Sequence, residues 1–213
     1  MTSELLAKLL EPYAGLPIGQ AEGAVAEGAD WTGIFDQLLI YLGLIIKWNA
    51  RINLTAIRTP EEIVRRHFGE SLFVGAHLGA CGTLLDFGSG AGFPGVPIQL
   101  LRPEVQVTLA ESQGKKAAFL YEVVRSLGLP TEVWAGRVEA MPAARRFDAV
   151  ALRAVEEMER AVGEAGLRAR EQVLIVGTAR QSSYPGLAEK FRMDEPVHLP
   201  ESNGGVLWIA HRF

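Results

Sequence analysis

The stretch that decides the fold of this chain is Asp86-Phe87-Gly88-Ser89-Gly90-Ala91-Gly92-Phe93-Pro94-Gly95. It overlaps the end of a short apolar run, Thr83–Phe87, whose length and composition predict a buried strand. Glycines at 88, 90 and 92 allow a tight turn and leave the backbone open to close approach by a ligand. Because ligands of open parallel sheets bind beyond the carboxyl ends of the strands, this turn predicts a ligand site.

Outward from the turn, predicted strands alternate with predicted helices. This alternation is typical of an α/β fold with a mostly parallel sheet, whose crossover helices cover both faces. The last apolar run, at 206–210, is expected to add antiparallel edge strands. The remaining strands are expected at Val105–Ala110, Glu132–Ala135, Phe147–Leu152 and Gln172–Val176, and the helices at Pro94–Leu101, Gly114–Leu127 and Met158–Leu167.

The first 80 residues read as helical. A short helix is expected over 1–10, a Gly/Ala-rich connector over 12–30, and a longer helix from Ile34 to about Asn49, where apolar residues recur at helical spacing. A third helix is expected to begin at Thr59, since Glu62 follows at capping-box spacing and Pro60 lies where its missing N–H costs nothing. We therefore predict a helical extension over 1–80 and an α/β core over 81–213.

Composition excludes several classes of protein. The 213 residues are 48% hydrophobic and 22% charged, which excludes a mainly disordered chain. The single Cys81 excludes an intramolecular disulfide, and the four histidines lack zinc-site spacing, so we expect no metal. No apolar run approaches the roughly 20 residues that span a bilayer, and the N-terminus lacks the pattern of a secretory signal. We expect a cytoplasmic monomer.

The charge of the chain restricts how it can bind nucleic acid. The formal net charge is −4, whereas proteins that rely on non-specific phosphate contacts usually carry a basic excess. A nucleic-acid site must therefore be a local patch. The most basic window runs from Lys47 to Phe68, and on its own it is also consistent with a solvated helix face.

The residues around the glycine turn leave two classes of ligand open. Residues Gly90–Gly95 formally match the dinucleotide pattern G-x-G-x-x-G, which favours NAD, although this match starts two residues late. Asp86 lies two residues before Gly88, where a carboxylate suits a cationic ligand and repels pyrophosphate. Glu111, after the second strand, can accept hydrogen bonds from both hydroxyls of a ribose and fits either ligand. The pattern thus assigns Asp86, Gly88, Gly90 and Glu111 to the ligand.

Two further segments follow strands on the same side of the predicted sheet. Gly136-Arg137-Val138-Glu139 comes after the third strand and can line an adenine pocket, but it fits an ordinary surface turn equally well. Arg153 comes at the end of the fourth strand, where its side chain can point into the crevice, pair with Asp148 or lie at the surface.

Two long stretches resemble the bacterial small-subunit rRNA guanine-N7 methyltransferases, the glucose-inhibited division protein B family. They cover about half the chain in the family's order. The first comprises Lys47-Trp48-Asn49-Ala50-Arg51-Ile52-Asn53-Leu54-Thr55-Ala56-Ile57, Pro60-Glu61-Glu62-Ile63 and Arg66-His67-Phe68-Gly69-Glu70-Ser71-Leu72. The second comprises Leu85 to Gly95, Ser112-Gln113-Gly114-Lys115-Lys116, Gly136 to Glu139, and Arg153-Ala154.

The resemblance implies a class I methyltransferase fold, S-adenosylmethionine as methyl donor and a guanine of 16S rRNA as acceptor. Carried over by position, the donor contacts are Gly88, Phe93, Val138, Glu139 and Arg153, with Glu111 as ribose ligand by analogy of fold. The chain departs from the family in having Leu152 where serine is usual, and Val176-Gly177-Thr178 where Lys-Gly is usual.

These inferences predict direct in-line transfer of the methyl group to N7. Guanine N7 has no proton to lose, so a general base is unnecessary, and Arg153 is the catalytic candidate that orients the base or a phosphate. Alternatives are a methyltransferase for a small molecule or protein, an NAD-dependent oxidoreductase and a non-enzymatic ribosome-binding module. The cations expected to contact RNA are Arg51, Arg58, Arg65, Arg66, Lys115, Lys116 and Arg137.

Overall fold

The computed structural model describes residues 1–14, 31–179 and 184–213. Its centre is an eight-stranded sheet of order β3-β2-β1-β4-β5-β8-β6, with β7 paired to β8. Strands β1 to β5 run parallel, and β8 is antiparallel to β5, β6 and β7. The strands are β1 Thr83–Phe87, β2 Gln106–Ala110, β3 Glu132–Trp134, β4 Phe147–Arg153, β5 Ala169–Thr178, β6 Phe191–Met193, β7 Val197–His198 and β8 Gly205–Arg212.

Some helices precede the sheet in the chain, and others connect its strands. A π-helix, Ile63–Gly69, joins α3 to α4 without a break, and a 3₁₀ helix occupies Val138–Ala140. The α-helices are α1 Ser3–Ala14, α2 Trp31–Asn49, α3 Pro60–Glu62, α4 Glu70–Ala76, α5 Gly95–Leu101, α6 Gly114–Leu127, α7 Met158–Arg168 and α8 Pro185–Ala188.

Strand order explains why the glycine turn is suited to a ligand. Strand β1 pairs with β2 on one side and with β4 on the other, and its residues Leu84 to Phe87 are all buried. The chain therefore proceeds outward from β1 in one direction through β2 and β3, and in the other through β4 and β5. The crevice at such a reversal, beyond the carboxyl ends of the strands, is where open α/β sheets bind ligands.

The N-terminal helices share a hydrophobic core with the sheet. Leu10 of α1, Leu38 of α2 and Phe68 of the π-helix belong to the same buried cluster as Leu84 and Val107 of the sheet. The helices thus pack as one layer against the α/β part, and the division at residue 80 stays a prediction.

Most of the predicted elements are confirmed, with differences at their ends. Thr59 caps α3 by accepting the N–H of Glu62 at 3.4 Å, with Pro60 at the first helical position, as predicted. Helix α1 extends to Ala14, so the start of the predicted connector is helical, and 15–30 lie outside the described residues. Strand β5 is longer than predicted at both ends, because Ala169 pairs with Phe147 of β4 and Gly177 and Thr178 pair with β8. Among the described residues, no helix is long and apolar enough to cross a membrane.

Candidate functional site

A crevice of about 610 Å³ lies beyond the carboxyl ends of β1, β2 and β4. Cavities of a few hundred to a thousand Å³ are typical of small-ligand sites. Its walls come from both the sheet and the N-terminal helical part of the chain. The lining comprises residues 54–56, 87–91, 110–113, 136–139 and 153–157, together with His67, Phe93, Lys116, Arg160 and Ala161.

The glycine turn has the backbone that its sequence predicts. Gly88, Gly90 and Gly92 have φ values of +72°, +57° and +93°, which side-chain-bearing residues rarely adopt. Gly95 is required for a different reason, since a Cβ there would lie 2.7 Å from Oδ2 of Asp86. The turn therefore combines an open backbone at Gly88 and Gly90, which line the crevice, with close packing beneath it.

The position of Asp86 corrects one expectation. Its side chain is fully buried and does not line the crevice, and its Oδ2 accepts the N–H of Gly95 at 2.9 Å. Burial raises the pKa of this carboxyl to about 7, against the opposing effect of the Gly95 hydrogen bond. Asp86 therefore supports the turn from inside the protein. The prediction that its carboxylate faces a cationic ligand in the crevice is wrong.

Glu111 lies where the sequence predicts, at the end of β2 and in the crevice wall. Its Oε2 accepts the N–H of Gly90 at 2.9 Å and its Oε1 accepts the N–H of Gln113 at 2.7 Å. These bonds fix the carboxylate against the glycine turn. Since each carboxylate oxygen can accept more than one hydrogen bond, Glu111 keeps capacity for two ribose hydroxyls.

At one end of the crevice, Phe93 contacts His67 and Arg153 contacts Glu70, two residues to which no sequence pattern gives a role. Phe93 is buried and stacks on His67 with ring centroids 4.6 Å apart, and the Arg153 guanidinium lies 6.0 Å from the Phe93 ring. Arg153 donates from Nε and Nη2 to Oε2 of the buried Glu70, at 3.1 and 2.7 Å. The alternative pairing of Arg153 with Asp148 is not found, since Asp148 pairs with Arg170.

The electrostatic state of His67 follows from this environment. Desolvation is the main cause that lowers the pKa of His67 to about 3, and the charges of Arg153 and Arg66 contribute in the same direction. The imidazole is therefore neutral at physiological pH. His67 and Glu70 lie in a segment that carries the family resemblance. Packing places His67 in the crevice wall, whereas Glu70 is buried behind it and acts through Arg153.

The segments after β3 and β4 form the far side of the crevice. Val138 is buried and Glu139 is exposed, and both line the cavity, with Glu139 paired to Arg160 at 3.6 Å. Ala154 and Glu157 both have positive φ, 52° and 50°, a conformation that costs free energy for residues other than glycine. Val155, between them, lies within contact distance of where a Cβ on Gly88 would stand.

The predicted RNA-contacting cations divide into two groups. Lys116 and Arg137 line the crevice, and Lys115 is exposed next to them in the chain. The others lie outside the lining. Arg51 is exposed, Arg58 donates to Oδ1 of Asn53 at 3.2 Å, Arg65 pairs with Glu201 at 2.7 Å, and Arg66 lies 3.8 Å from Glu70.

The two departures from the family pattern lie away from the cavity wall. Leu152 is fully buried in β4, where an apolar side chain suits the core, and neither it nor residues 176–178 line the crevice. Within the described ranges, no cluster of three or more His, Cys, Asp or Glu side chains is placed to hold a metal ion.

The solved structures that resemble this one include two that are named as methyltransferases. A predicted O-methyltransferase from Agrobacterium tumefaciens aligns with a TM-score of 0.51 at 17% identity, over 62% of this chain and 74% of that one. A putative RNA methyltransferase from Pyrococcus horikoshii aligns with a TM-score of 0.50 at 16% identity, over 83% and 96% of the two chains. At these identities the likeness shows the fold alone, and that fold is the predicted one.

Relatives in sequence have far higher identity to this chain than these solved structures do. A Ribosomal RNA small subunit methyltransferase G from Nitrosomonas europaea is 48% identical over 133 residues, 62% of each chain. Its counterpart from Pseudomonas paraeruginosa is 44% identical over 142 residues, 63% of this chain and 66% of the relative. The chain thus matches a little under two thirds of the length of these relatives.

A family model extends the match beyond these pairwise alignments. The model described as rRNA small subunit methyltransferase G matches residues 34–192, from helix α2 to strand β6. This range includes both the N-terminal wall of the crevice and the glycine turn. The chain therefore belongs to the rRNA small subunit methyltransferase G family.

Proposed function

We propose that this protein transfers a methyl group from S-adenosylmethionine to N7 of a guanine in 16S rRNA. The observation that carries the proposal is a single crevice that joins the glycine turn, Glu111 and Arg153 in a chain of this family. The printed name of its relatives, Ribosomal RNA small subunit methyltransferase G, supports ribosomal RNA as the acceptor.

The residues of the crevice fit S-adenosylmethionine, which supplies a methyl group on a sulfonium sulfur when bound. Gly88 and Gly90 offer open backbone at the turn, and Glu111 retains acceptor capacity for ribose hydroxyls. Val138 and Glu139 stand where an adenine-binding segment is expected, and Phe93 and Arg153 close the same cavity. We assign these seven residues to the donor. Asp86 is left as a support of the turn.

The chemistry asks little of the protein beyond positioning. Because guanine N7 attacks with an in-plane lone pair and loses no proton, no side chain has to act as a base. Holding the acceptor in line and near contact distance supplies most of the acceleration. The neutral His67 and the Glu70-paired Arg153 limit the positive charge that the site places near a cationic donor. Arg153 is the residue we assign to orienting the base or a phosphate.

RNA binding is assigned to the cations around the crevice mouth. Lys116 and Arg137 line the cavity, and Lys115 adjoins them. With a net charge of −4, the chain needs such a local patch to hold phosphates, and contact by these cations would give salt-dependent binding. We place the reaction in the cytoplasm, where small ribosomal subunits are made, and assign it to a monomer.

Radiolabelled methyl transfer onto small subunits from a strain that lacks this protein tests the proposal. We expect label in 16S rRNA, released as N7-methylguanine on hydrolysis, and no label on subunits from the parent strain. Label on protein or on small molecules alone would instead favour the alternative hypothesis, a methyltransferase for a small molecule or protein. The acidic net charge is also consistent with that alternative. Parallel calorimetric titrations with S-adenosylmethionine and NAD test the dinucleotide alternative.

A further inference from the structure

One wall of the crevice comes from outside the sheet. Leu54, Thr55 and Ala56 line the cavity, although they belong to the loop between α2 and α3. The donor contacts assigned above come from the turn after β1 and from the segments after β2, β3 and β4. The loop at 54–56 therefore faces the crevice with no part of the donor assigned to it.

Asn49, at the end of α2, holds this loop by its backbone. Its Oδ1 accepts the N–H groups of Leu54 and Thr55 at 3.0 and 3.2 Å. Its Nδ2 donates to the carbonyls of Thr55 and Ile57 at 3.1 and 3.4 Å. One half-buried amide thus uses both its acceptor and its donors on a loop of four residues. These four hydrogen bonds hold the backbone of the loop in one conformation, which a loop that only contacts solvent would not need.

A second tether joins the loop to the ring stack beneath it. Oγ1 of Thr55 lies 2.7 Å from Nε2 of His67 and also accepts the N–H of Ile57 at 3.1 Å. His67 in turn stacks on Phe93, the residue that follows the glycine turn. The loop is therefore connected through Thr55 and His67 to the element that would hold the donor.

The loop also has the charge and polarity that an RNA nucleotide would require. Arg51 and Arg58 flank it and are both exposed, which suits phosphates outside the cavity. Within the described residues, the backbone N–H and carbonyl of Ala56 take part in no internal hydrogen bond, so both can pair with the edge of a base.

We propose that Leu54–Ala56 form the acceptor wall, the surface against which the target nucleotide of the RNA is seated, and that Asn49 and Thr55 are its positioning residues. The inference rests on the proposed function and deepens it by naming the side of the crevice that takes the acceptor. Asn49 and Thr55 act through the loop, so their loss would change acceptor binding and leave donor binding intact.

The test compares Asn49→Ala and Thr55→Val with the wild type in methyl transfer to unmodified small subunits. We expect the KM for subunits to rise about tenfold or more for Asn49→Ala, since small displacements in a site cost large factors. For Thr55→Val we expect a rise of about fivefold or more, because the hydroxyl's hydrogen bonds to His67 and Ile57 are both lost. The Kd for S-adenosylmethionine, measured by calorimetry, should change less than twofold, within ordinary error. Thr55→Ser, which keeps the hydroxyl, should restore the wild-type KM.

Matched controls are Asn203→Ala and Thr32→Val, which change the same residue types at exposed positions outside the cavity. Both should leave the KM and the Kd unchanged. An unchanged KM in Asn49→Ala and Thr55→Val would overturn the acceptor wall while leaving the proposed function standing. Equal weakening of donor binding in both variants would also overturn it, since the loop would then belong to the donor side. A wild type that methylates no ribosomal RNA would overturn the proposed function and this inference together.

Discussion

Glu70 and Arg153 stand 83 residues apart in the chain and form an ion pair whose side chains are 5% and 11% exposed. Burial makes each charge dependent on the other, because a lone charge in this environment would lack both water and a partner. Arg153 also donates to the carbonyl of Arg66 at 3.3 Å. The guanidinium is therefore held in place before any ligand arrives.

Removing the charge of Glu70 should destabilise the fold. We expect Glu70→Gln to lower the free energy of unfolding by about 3 kcal/mol, because Arg153 would remain buried without a counter-charge. Urea denaturation followed by circular dichroism measures this. Glu201→Gln is the matched control, since Glu201 pairs with Arg65 at the surface and exposed pairs contribute at most about 1 kcal/mol. Equal losses in the two variants would contradict the role given to burial.

Asp86 should make stability depend on pH. Its pKa is about 7 in the folded protein and 3.8 as an ordinary carboxyl, so the folded state holds the proton more tightly than the unfolded chain. The stability contributed by the protonated form is fully present below pH 4 and is lost as the pH rises to about 7. The direction follows from desolvation of the charged carboxylate.

The variant Asp86→Asn should remove this dependence. Between pH 4 and pH 8, the wild type should lose up to about 4 kcal/mol of unfolding free energy relative to Asp86→Asn, the equivalent of three pKa units. Urea titrations of both proteins across this range provide the measurement. If the unfolding free energies of the two proteins differed by the same amount at every pH, the carboxyl would not be desolvated in the folded state.

At the scale of the element, the strand–turn–helix unit from β1 to α5 is packed so closely that Gly95 admits no side chain. A Cβ at this position would stand 2.7 Å from Oδ2 and 2.9 Å from Cβ of Asp86. We expect Gly95→Ala to lower the melting temperature, with a loss of about 1–3 kcal/mol in unfolding free energy from overpacking. Differential scanning calorimetry gives both quantities.

Gly114 provides the control for this element. It begins α6, the helix after β2, and a Cβ there would meet no atom within 4 Å. Gly114→Ala should therefore be neutral or raise the unfolding free energy by about 0.4–1 kcal/mol, by restricting the unfolded chain. If both alanine variants melted alike, close packing at Gly95 would not explain the glycine.

At the scale of the whole molecule, RNA binding has to overcome a net negative charge. We expect the double variant Lys115→Ala, Lys116→Ala to weaken binding to 16S rRNA and to reduce the slope of log K against log salt by roughly 1–2, about 0.7–0.9 for each lost phosphate contact. Filter binding at several salt concentrations measures the slope, and calorimetry should find donor binding unchanged.

Exposed lysines elsewhere provide the comparison for this experiment. Lys8 and Lys190 are solvent-exposed and do not line the crevice, so Lys8→Ala, Lys190→Ala changes the net charge by the same amount. This variant should keep the salt slope of the wild type. The same reduction in both double variants would assign the effect to overall charge and remove Lys115 and Lys116 from the RNA surface.

Local pattern predicted the sheet and most helix ends, because the strands of a buried parallel sheet are apolar throughout and glycine and proline mark their ends. The strand at 83–87 and the helix at 114–127 lie as predicted. The π-helix at 63–69 was missed, since its apolar residues also fit an ordinary helix. The turn and Glu111 were likewise predicted as parts of one site, because both follow strands of one sheet.

Long-range packing explains what the sequence left undetermined. The Glu70–Arg153 pair and the Thr55–His67 contact join elements whose mutual orientation no local pattern contains. The predicted orientation of the Asp86 side chain, toward the crevice, was wrong for a related reason. Its place at the end of a strand indicated the crevice, but the close approach of Gly95 turned its carboxyl toward a backbone N–H inside the protein.

The placement of β8 between β5 and β6 makes truncation of the gene product costly. A nonsense mutation after Thr178 would spare every residue of the crevice but leave the edge of β5 without its neighbour from Gln172 to Thr178. Unpaired apolar edges of this kind recruit other chains and aggregate. The product of such an allele would therefore be inactive because it is insoluble, although it still contained every residue of the crevice.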